Sequence, residues 1–280
     1  GLEDAGVQAA CPRCALPRRV DGMKRTLPAQ MSETVRLGAV LAAAGGFLDA
    51  YTYLTRGGVF ANAQTGNIVL LGVYLAQGQF RTAGRYLIPI LAFAAGVIVA
   101  ELIKARFRYH PALHWRQITV GAELAILAAV AFLPQRWNVP ANLAVSFVCA
   151  MQVESFRKIE GNAYATTMCI GNFRSGTECL YRWRKTRDRG FLHRAKVYYV
   201  VILVFVLGAA LGGLACRAWG RYAILICCPL LLASVGLMAW IRRSGKASAG
   251  RALIFRRMTA SAASTAAAGA TVFHMVGFPL

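Results

Sequence analysis

The first apolar run of the chain is interrupted by residues that could bind a solute or an ion. The run begins at Val35, acquires Asp49 and Arg56, and breaks at the pair Gly57-Gly58. Amide and hydroxyl side chains then follow closely: Asn62, Gln64, Thr65 and Asn67. In hydrocarbon, ionisable side chains and irregular backbone are tolerated only where protein or a water-filled cavity surrounds them. The stretch therefore predicts a polar site within a membrane.

The Asp49 carboxylate admits two interpretations. It could couple transport to a proton or a cation, because a carboxylate inside a membrane must be paired or protonatable. It could instead form a structural ion pair with Arg56, or reach the membrane interface. The side chains of Asn62, Gln64, Thr65 and Asn67 also admit two interpretations. They could line a solute site, or they could hydrogen-bond to one another and to the broken backbone.

Composition places the chain among membrane proteins. Of its 280 residues, 57% are hydrophobic and 15% are charged, whereas a soluble domain carries about 25% charged residues. Repeated apolar runs of roughly 16 to 20 residues are long enough for membrane-spanning helices. The predicted fold is an all-α integral membrane protein with about six spans, at residues 35–54, 86–103, 118–133, 141–156, 197–216 and 223–241. In the second of these, Pro89 is expected in the first turn, where a missing N–H is tolerated.

The remaining residues divide the chain further. Residues 1–30 contain no apolar run, so we expect a disordered N-terminal extension without a signal peptide. Residues 31–243 form the transmembrane domain, and residues 244–280 form a low-complexity tail. Two other segments, 61–79 and 163–179, are too short or too polar for an ordinary span, and they are predicted to enter the membrane and return or to form half-helices.

The formal net charge of +21 comes from basic residues clustered in the connections between apolar runs. This distribution is typical of the positive-inside bias and not of a nucleic-acid-binding surface. We expect the basic loops to attract anionic lipid headgroups on the cytoplasmic side, and we expect no nucleic-acid partner.

Basic residues also discriminate between six spans and eight. With six spans and a cytoplasmic N-terminus, 25 Lys and Arg residues lie inside and 6 outside, with Arg174 unassigned. If both short segments also crossed, the split would be 22 against 9. The positive-inside rule therefore favours six spans with both termini in the cytoplasm.

The residue types give no sign of catalysis. The predicted spans contain no Ser/His/Asp set, no metal-ligand cluster and no phosphate-binding loop. Cys11 and Cys14 make a lone Cys-x-x-Cys, which is weak for zinc without a second pair. We therefore predict a protein that is not an enzyme and has no metal or other cofactor.

The chain contains a weak internal repeat. An offset of 105 residues places Asp49 on Glu154 and Gly66-Asn67 on Gly171-Asn172. The halves, residues 35–134 and 140–241, share the same order of elements. Because each half has three spans, the second is predicted to be inserted upside down, as a 3+3 inverted repeat.

This pattern favours a small secondary transporter or permease for a small solute or ion, because Gly-interrupted segments at matching positions point to a site near the midplane. The candidate binding residues are Asp49, Asn62, Gln64, Thr65, Gly66, Asn67, Glu154, Gly171 and Asn172. Thr65, Asn67 and Asn172 are also predicted to cap half-helices. A passive channel and a non-transporting membrane scaffold are the alternatives. Small-residue helix faces such as 42–46 would allow a homodimer.

Two stretches resemble a known family. The sequences Phe-Leu-Asp-Ala at 47–50 and Gly-Val-Phe-Ala-Asn-Ala-Gln-Thr-Gly-Asn at 58–67 are similar to the signature of the YoaK family of bacterial membrane proteins. The resemblance extends over residues 35–241. It implies an integral inner-membrane protein with about six spans and a domain of unknown function. It implies neither a substrate nor catalytic residues.

Overall fold

A computed structural model describes residues 35–107, 115–156, 158–159, 162–163, 169–238 and 240. The predictions for residues 1–30 and 244–280 lie outside the described residues. Seven helices are bounded as follows: α1 Val35–Thr55, α2 Gln64–Ala76, α3 Phe80–Phe107, α4 Trp115–Ala131, α5 Asn138–Ser155, α6 Cys169–Thr186 and α7 Arg189–Trp219. Residues 227–238 are also helical and are called α8. Short 3-10 turns cover Gln135–Trp137 and Gly220–Ile226, and a two-residue antiparallel ladder pairs Lys158–Ile159 with Asn162–Ala163.

Four helical stretches among the described residues are long and apolar enough to cross a membrane. They are Val35–Thr55, Phe80–Phe107, Trp115–Phe132 and the continuous run Arg189–Met238. The apolar helix α2 has 13 residues, about 20 Å at 1.5 Å per residue, which is shorter than the roughly 30 Å of bilayer hydrocarbon. The predicted helical membrane fold is therefore confirmed, and so is the predicted short apolar segment after α1.

Helix α7 lies along α1 in the same direction, at very close range. Gly208 faces Ala43 and Gly212 faces Phe47, so the two helices advance together. A methyl group on Gly208 would overlap the Ala43 carbonyl, and one on Gly212 would lie 2.8 Å from the Phe47 carbonyl oxygen. Glycine permits this approach of two backbones, as it does between helices in membranes.

Helix α8 returns along α1 in the opposite direction. The chain turns after α7 at Gly220, whose φ of 53° is in the region that favours glycine. Tyr51 then donates a hydrogen bond to the Arg221 carbonyl at 3.0 Å, and Cys227 Sγ lies 3.9 Å from the Ala44 carbonyl oxygen. Because Arg221 contacts Tyr51 and the later Cys227 contacts the earlier Ala44, residues 220–238 run antiparallel to α1.

Helices α4 and α5 are antiparallel neighbours joined by buried polar side chains. Gln152 Nε2 donates to Glu123 Oε1 at 3.1 Å, and Ser155 Oγ donates to Thr119 Oγ1 at 3.3 Å. The start of α4 thus lies beside the end of α5. All four residues are buried.

Helix α3 runs antiparallel to α4 and packs on α5. The Lys104 ammonium near its end lies 6.0 Å from the ring of Trp115, the first residue of α4. In its middle, Gly96 faces the Phe147 carbonyl and the Ala150 methyl group of α5. Together with α1, α7 and α8, these three helices form the bundle. The two remaining helices, α2 and α6, correspond to the two segments predicted to be short or polar and are called the short helices.

Several predicted boundaries are wrong, among them the start of α7, which is at Arg189 and not at residue 197. Helix α3 begins at Phe80 and not at residue 86, so Pro89 lies inside the helix instead of in its first turn. The early start follows from a tight turn at Gly78, with φ of 71°, which joins α2 directly to α3. The second short segment is a helix from Cys169 to Thr186, and it therefore continues into the basic residues that were predicted to form a loop.

Candidate functional site

The polar stretch after α1 folds back onto the helix that precedes it. Gly57 and Gly58 have φ of 87° and 75°, a left-handed conformation that glycine adopts without strain. The Gly58 N–H donates to the Tyr53 carbonyl at 3.0 Å and ends the helix. Val59 and Ala61 are then buried against the bundle. The loop thus returns toward the middle of α1 before α2 begins.

Asp49 holds this loop in place. Its Oδ1 accepts a hydrogen bond from the Asn62 backbone N–H at 2.6 Å, and the backbone N–H groups of Ala61 and Ala63 also hydrogen-bond to the carboxylate. The Asn62 side chain donates to the Gly45 carbonyl at 3.2 Å, one turn earlier on α1. A carboxylate that receives several backbone N–H groups is well compensated for burial.

Arg56 hydrogen-bonds to carbonyl groups and to a tyrosine, and not to the Asp49 carboxylate considered in the sequence analysis. Its guanidinium donates to the carbonyls of Val130 and Leu133 at 2.9 and 3.1 Å and to the hydroxyl of Tyr51 at 3.0 Å. No ion pair between Arg56 and Asp49 occurs in the described part of the chain. Arg56 is instead a buried cation that binds carbonyl groups at the C-terminal end of α4, where the helix dipole favours positive charge.

Asn67 clamps the loop from the other side. Its Oδ1 accepts from the Phe60 N–H at 3.1 Å, and its Nδ2 donates to the Phe60 carbonyl at 2.8 Å and to Gln64 Oε1 at 2.9 Å. The predicted capping role of Thr65 and Asn67 is wrong, because Ala63 occupies the N-cap position of α2 and no side chain caps it. Both predicted caps lie inside the first turn of the helix.

We expect Asn67→Ala to loosen this loop. The substitution leaves the N–H and carbonyl of Phe60 without partners, and a buried unpaired polar group costs about 1–3 kcal/mol. Hydrogen exchange should show faster exchange of the Phe60 amide. The matched control is Gln79→Ala, which removes an exposed amide bonded to Gln77. Equal protection of Phe60 in the wild type and in Asn67→Ala would contradict the clamp.

The two short helices begin at one common cavity of about 1080 Å³. Its polar members from the first break are Asp49, Asn62, Gln64 and Thr65, and its members from the start of α6 are Cys169, Ile170 and Gly171. Five of the nine predicted site residues are therefore brought together: Asp49, Asn62, Gln64, Thr65 and Gly171.

The other four predicted residues do not line this cavity. Gly66 and Asn67 face Phe60. Asn172 is buried in the first turn of α6, so its predicted position as a cap before the helix is wrong. Glu154 is half-buried near the end of α5. The predicted pairing of Asp49 and Glu154 in one site is not found in the described cavity.

Aromatic residues form a part of the cavity that sequence reasoning missed. The rings of Tyr53 and Phe60 stack with centroids 4.9 Å apart, and Phe93 of α3 and Phe205 of α7 complete the wall. Phe60 lies within the signature stretch and could have been noticed. Phe93 and Phe205 lie in uniformly apolar runs, where nothing in the residue pattern distinguishes a cavity wall from a lipid-facing or packed side chain.

A bundle of long apolar helices that encloses a polar-edged cavity defines an integral membrane protein of the α-helical class. The family described as "Protein of unknown function (DUF1275)" matches residues 37–237, and the chain belongs to this family. The chain is also similar to UPF0700 transmembrane protein YoaK of Bacillus subtilis (strain 168). The two are 26% identical over 217 residues, which cover 74% of this chain and 95% of the relative. The predicted resemblance to the YoaK family is thereby confirmed. No solved structure matches the chain.

Proposed function

We propose that this protein is a small secondary transporter whose solute binds in the cavity between the two short helices. The observation that carries the proposal is that the starts of α2 and α6, far apart in sequence, line the same cavity with Asp49 at its edge. The start of a helix leaves backbone N–H groups without intrahelical partners, and a polar group of the solute can bind them. Such breaks are the usual solute sites of secondary transporters.

Six membrane crossings are supported by the directions of the helices. The run Arg189–Met238 has 50 residues, about 75 Å. Its turn at Gly220 divides it into two crossings, α7 and residues 220–238, which comprise the 3-10 turn Gly220–Ile226 and α8. Helix α5 has 18 residues and lies antiparallel to α4, so it supplies the sixth. The order α1, α3, α4, α5, α7, α8 then alternates in direction.

An inverted repeat is supported by positions that correspond at the predicted offset. Helix α2 begins at Gln64 and α6 at Cys169, which are 105 residues apart. The fourth residue of each is a buried asparagine, Asn67 or Asn172. Helices α1 and α5, the first of each half, run in opposite directions, as the upside-down insertion of one half requires.

The orientation follows from charge. With the starts of α1, α4 and α7 in the cytoplasm of a bacterial inner membrane, the exposed basic residues at the α6–α7 connection also lie there. These are Arg182, Arg184, Lys185, Arg187 and Arg189. They would contact anionic headgroups, each contributing about 1 kcal/mol near the surface. Both termini would be cytoplasmic.

The lining favours a small organic cation. Asp49 supplies negative charge, and Asn62 Oδ1 is a buried acceptor without a hydrogen-bond partner among the described residues. The wall contributes the aromatic rings of Tyr53, Phe60 and Phe93, whose faces attract cations. The cavity volume of about 1080 Å³ is slightly larger than the roughly 300–1,000 Å³ of small-molecule sites.

Filling the cavity tests the proposal. A Cβ atom added at Gly171, which lines the cavity, meets nothing within 4 Å, so we expect Gly171→Trp to fill part of the cavity without distorting α6. We expect liposomes that contain the purified protein to take up radiolabelled phenyltrimethylammonium, a cation that does not cross lipid unaided. The Gly171→Trp variant should lose at least about 90% of this uptake. The same compound should raise the Tm of the wild type but not that of Gly171→Trp.

The matched control is Gly72→Trp, on an exposed face of α2 where an added Cβ atom also meets nothing within 4 Å. It should retain wild-type uptake. Stabilisation by the cation without uptake would favour the non-transporting alternative, and flux far above carrier rates in electrical recordings would favour a channel. If quaternary ammonium compounds neither stabilise the protein nor enter the liposomes, the organic-cation proposal is contradicted.

A further inference from the structure

Helix α5 carries a polar stripe through the interior of the bundle. Asn142, Ser146, Cys149 and Gln152 recur at helical spacing and are at most 4% exposed. Three of them, all except Cys149, have a side-chain oxygen without a hydrogen-bond partner among the described residues. Buried polar atoms are normally satisfied, so a run of such oxygens along one helix calls for an explanation.

The stripe meets a buried carboxyl group at Gln152. Glu123 of α4 is fully buried, and its Oε1 accepts a hydrogen bond from Gln152 Nε2 at 3.1 Å. Glu123 Oε2 and Gln152 Oε1 both remain unpartnered. No lysine or arginine forms an ion pair with Glu123 in the described residues. Two acceptor oxygens from one hydrogen-bonded pair thus share the interior without any donor.

A metal ion does not fit this pair. Calcium takes six to eight oxygen ligands, and magnesium requires an octahedral set, whereas Glu123 and Gln152 offer one carboxylate and one amide oxygen. The described residues contain no group of three or more His, Cys, Asp or Glu side chains that could hold a metal. A proton on the carboxyl group, in contrast, converts Oε2 into a donor, and the adjacent amide oxygen is an acceptor for it.

We propose that Glu123 is a proton-binding site inside the bundle, and that its proton exchanges with water in the cavity at Asp49. In the protonated state the carboxyl group donates through one oxygen and accepts from Gln152 through the other. Loading transfers a proton from hydronium to the carboxylate and leaves water. This site does not require that the cavity transports a solute.

A series of polar side chains runs from Glu123 toward the cavity. Cys149 lies one turn from Gln152 on α5, within electrostatic range of both Glu123 and Asp49, and the Asn62 side chain contacts its thiol. Asn62 and Asp49 line the cavity. Cys227 of α8 is also close enough to Glu123 to interact with it electrostatically. The titratable groups that face Glu123 are therefore the thiols of Cys149 and Cys227, and Asp49 faces Cys149.

Infrared spectroscopy of the full-length protein in detergent tests the site directly. At neutral pH we expect a carbonyl-stretch band of a protonated carboxyl group that shifts in D₂O and is lost in Glu123→Gln. The band should persist in Asp49→Asn and in the matched control Glu101→Gln, which removes an exposed carboxylate paired with Lys104 at 2.7 Å. No transport is measured, so failure here is distinct from failure of the proposed function.

A second variant keeps the test decisive if Glu123→Gln does not fold. Gln152→Met removes the donor to Glu123 Oε1, so the band should remain and move in frequency. The proposal is overturned if the band is unchanged in Glu123→Gln or Gln152→Met, if it disappears in Asp49→Asn, or if it does not shift after prolonged exposure to D₂O. The last result would mean that Glu123 is sealed from the cavity.

Discussion

Replacing Arg56 with alanine is expected to remove most of the stability of the protein. The guanidinium is 1% exposed and donates to the carbonyls of Val130 and Leu133 and to the hydroxyl of Tyr51. A hydrogen bond to a charged group contributes about 1.5–3 kcal/mol. The Val130 carbonyl keeps the Leu133 N–H and the Tyr51 hydroxyl keeps the Arg221 carbonyl, so the loss of the three bonds should lower the free energy of unfolding by roughly 4 kcal/mol. Thermal unfolding followed by a thiol-reactive dye measures it, since Cys149 and Cys227 are buried and become reactive on unfolding.

The control for this prediction lies at the same end of the bundle. Arg136 is exposed, and Arg136→Ala should change the free energy of unfolding by less than about 0.5 kcal/mol. Arg56→Lys should fall between the two, because a lysine ammonium keeps the charge but lacks the planar fork that reaches several acceptors. Equal stability of Arg56→Ala and the wild type would show that α4 does not need this cation at its C-terminal end.

A single methyl group at Gly208 is expected to separate α1 from α7. It would overlap the Ala43 carbonyl, and backbone, unlike a flexible side chain, cannot move aside locally. Overpacking of this kind costs about 1–3 kcal/mol, and Gly46→Ala should behave alike because its methyl group would overlap the Phe205 carbonyl. Both variants should unfold at lower temperature.

Gly121→Ala is the matched control for the glycine contacts. Gly121 lies inside α4, and an added methyl group meets nothing within 4 Å. Because alanine favours a helix over glycine by about 1 kcal/mol, this variant should be as stable as the wild type or more stable. Loss of stability in all three glycine variants alike would contradict a specific close approach at Gly46 and Gly208.

The class of the fold could be predicted because it depends on length and polarity alone. Apolar runs at 35–54 and 118–133 became α1 and α4, since a lipid environment requires the backbone to satisfy itself within each helix. The brevity of α2 was predictable for the same reason. The start of α3 was not, because Phe80 to Arg85 are polar enough to read as a loop, and only the tight turn at Gly78 shows that the helix begins there.

The site was predicted only as far as it is local in sequence. Asp49 and Asn62 were singled out as polar residues in an apolar run, and they hydrogen-bond to each other. The carbonyl partners of Arg56 lie more than 70 residues away, at the C-terminal end of α4, and no pattern in a single sequence indicates which carbonyls a buried cation will meet. The same holds for Glu123, whose hydrogen-bond partner Gln152 lies 29 residues away on α5.

The internal repeat predicts corresponding positions in the two halves but not corresponding chemistry. The offset of 105 residues relates the first residues of α2 and α6 and the buried Asn67 and Asn172. It does not relate the chemistry of the halves, since Asp49 lines the cavity and its counterpart Glu154 does not. We therefore expect the halves to share a backbone arrangement while the first half supplies the charged part of the site.

Reactivity of the native thiol of Cys169 tests most directly whether the two short helices share one water-accessible cavity. This residue opens α6 and lines the cavity. With the other half-exposed cysteines, Cys179, Cys216 and Cys228, and the N-terminal Cys11 and Cys14 replaced by serine, a membrane-impermeant thiol reagent should label it in vesicles of both orientations. Labelling should slow at least about tenfold in Gly171→Trp and stay unchanged in Gly72→Trp. An unreactive Cys169, or equal labelling in both tryptophan variants, would contradict the account.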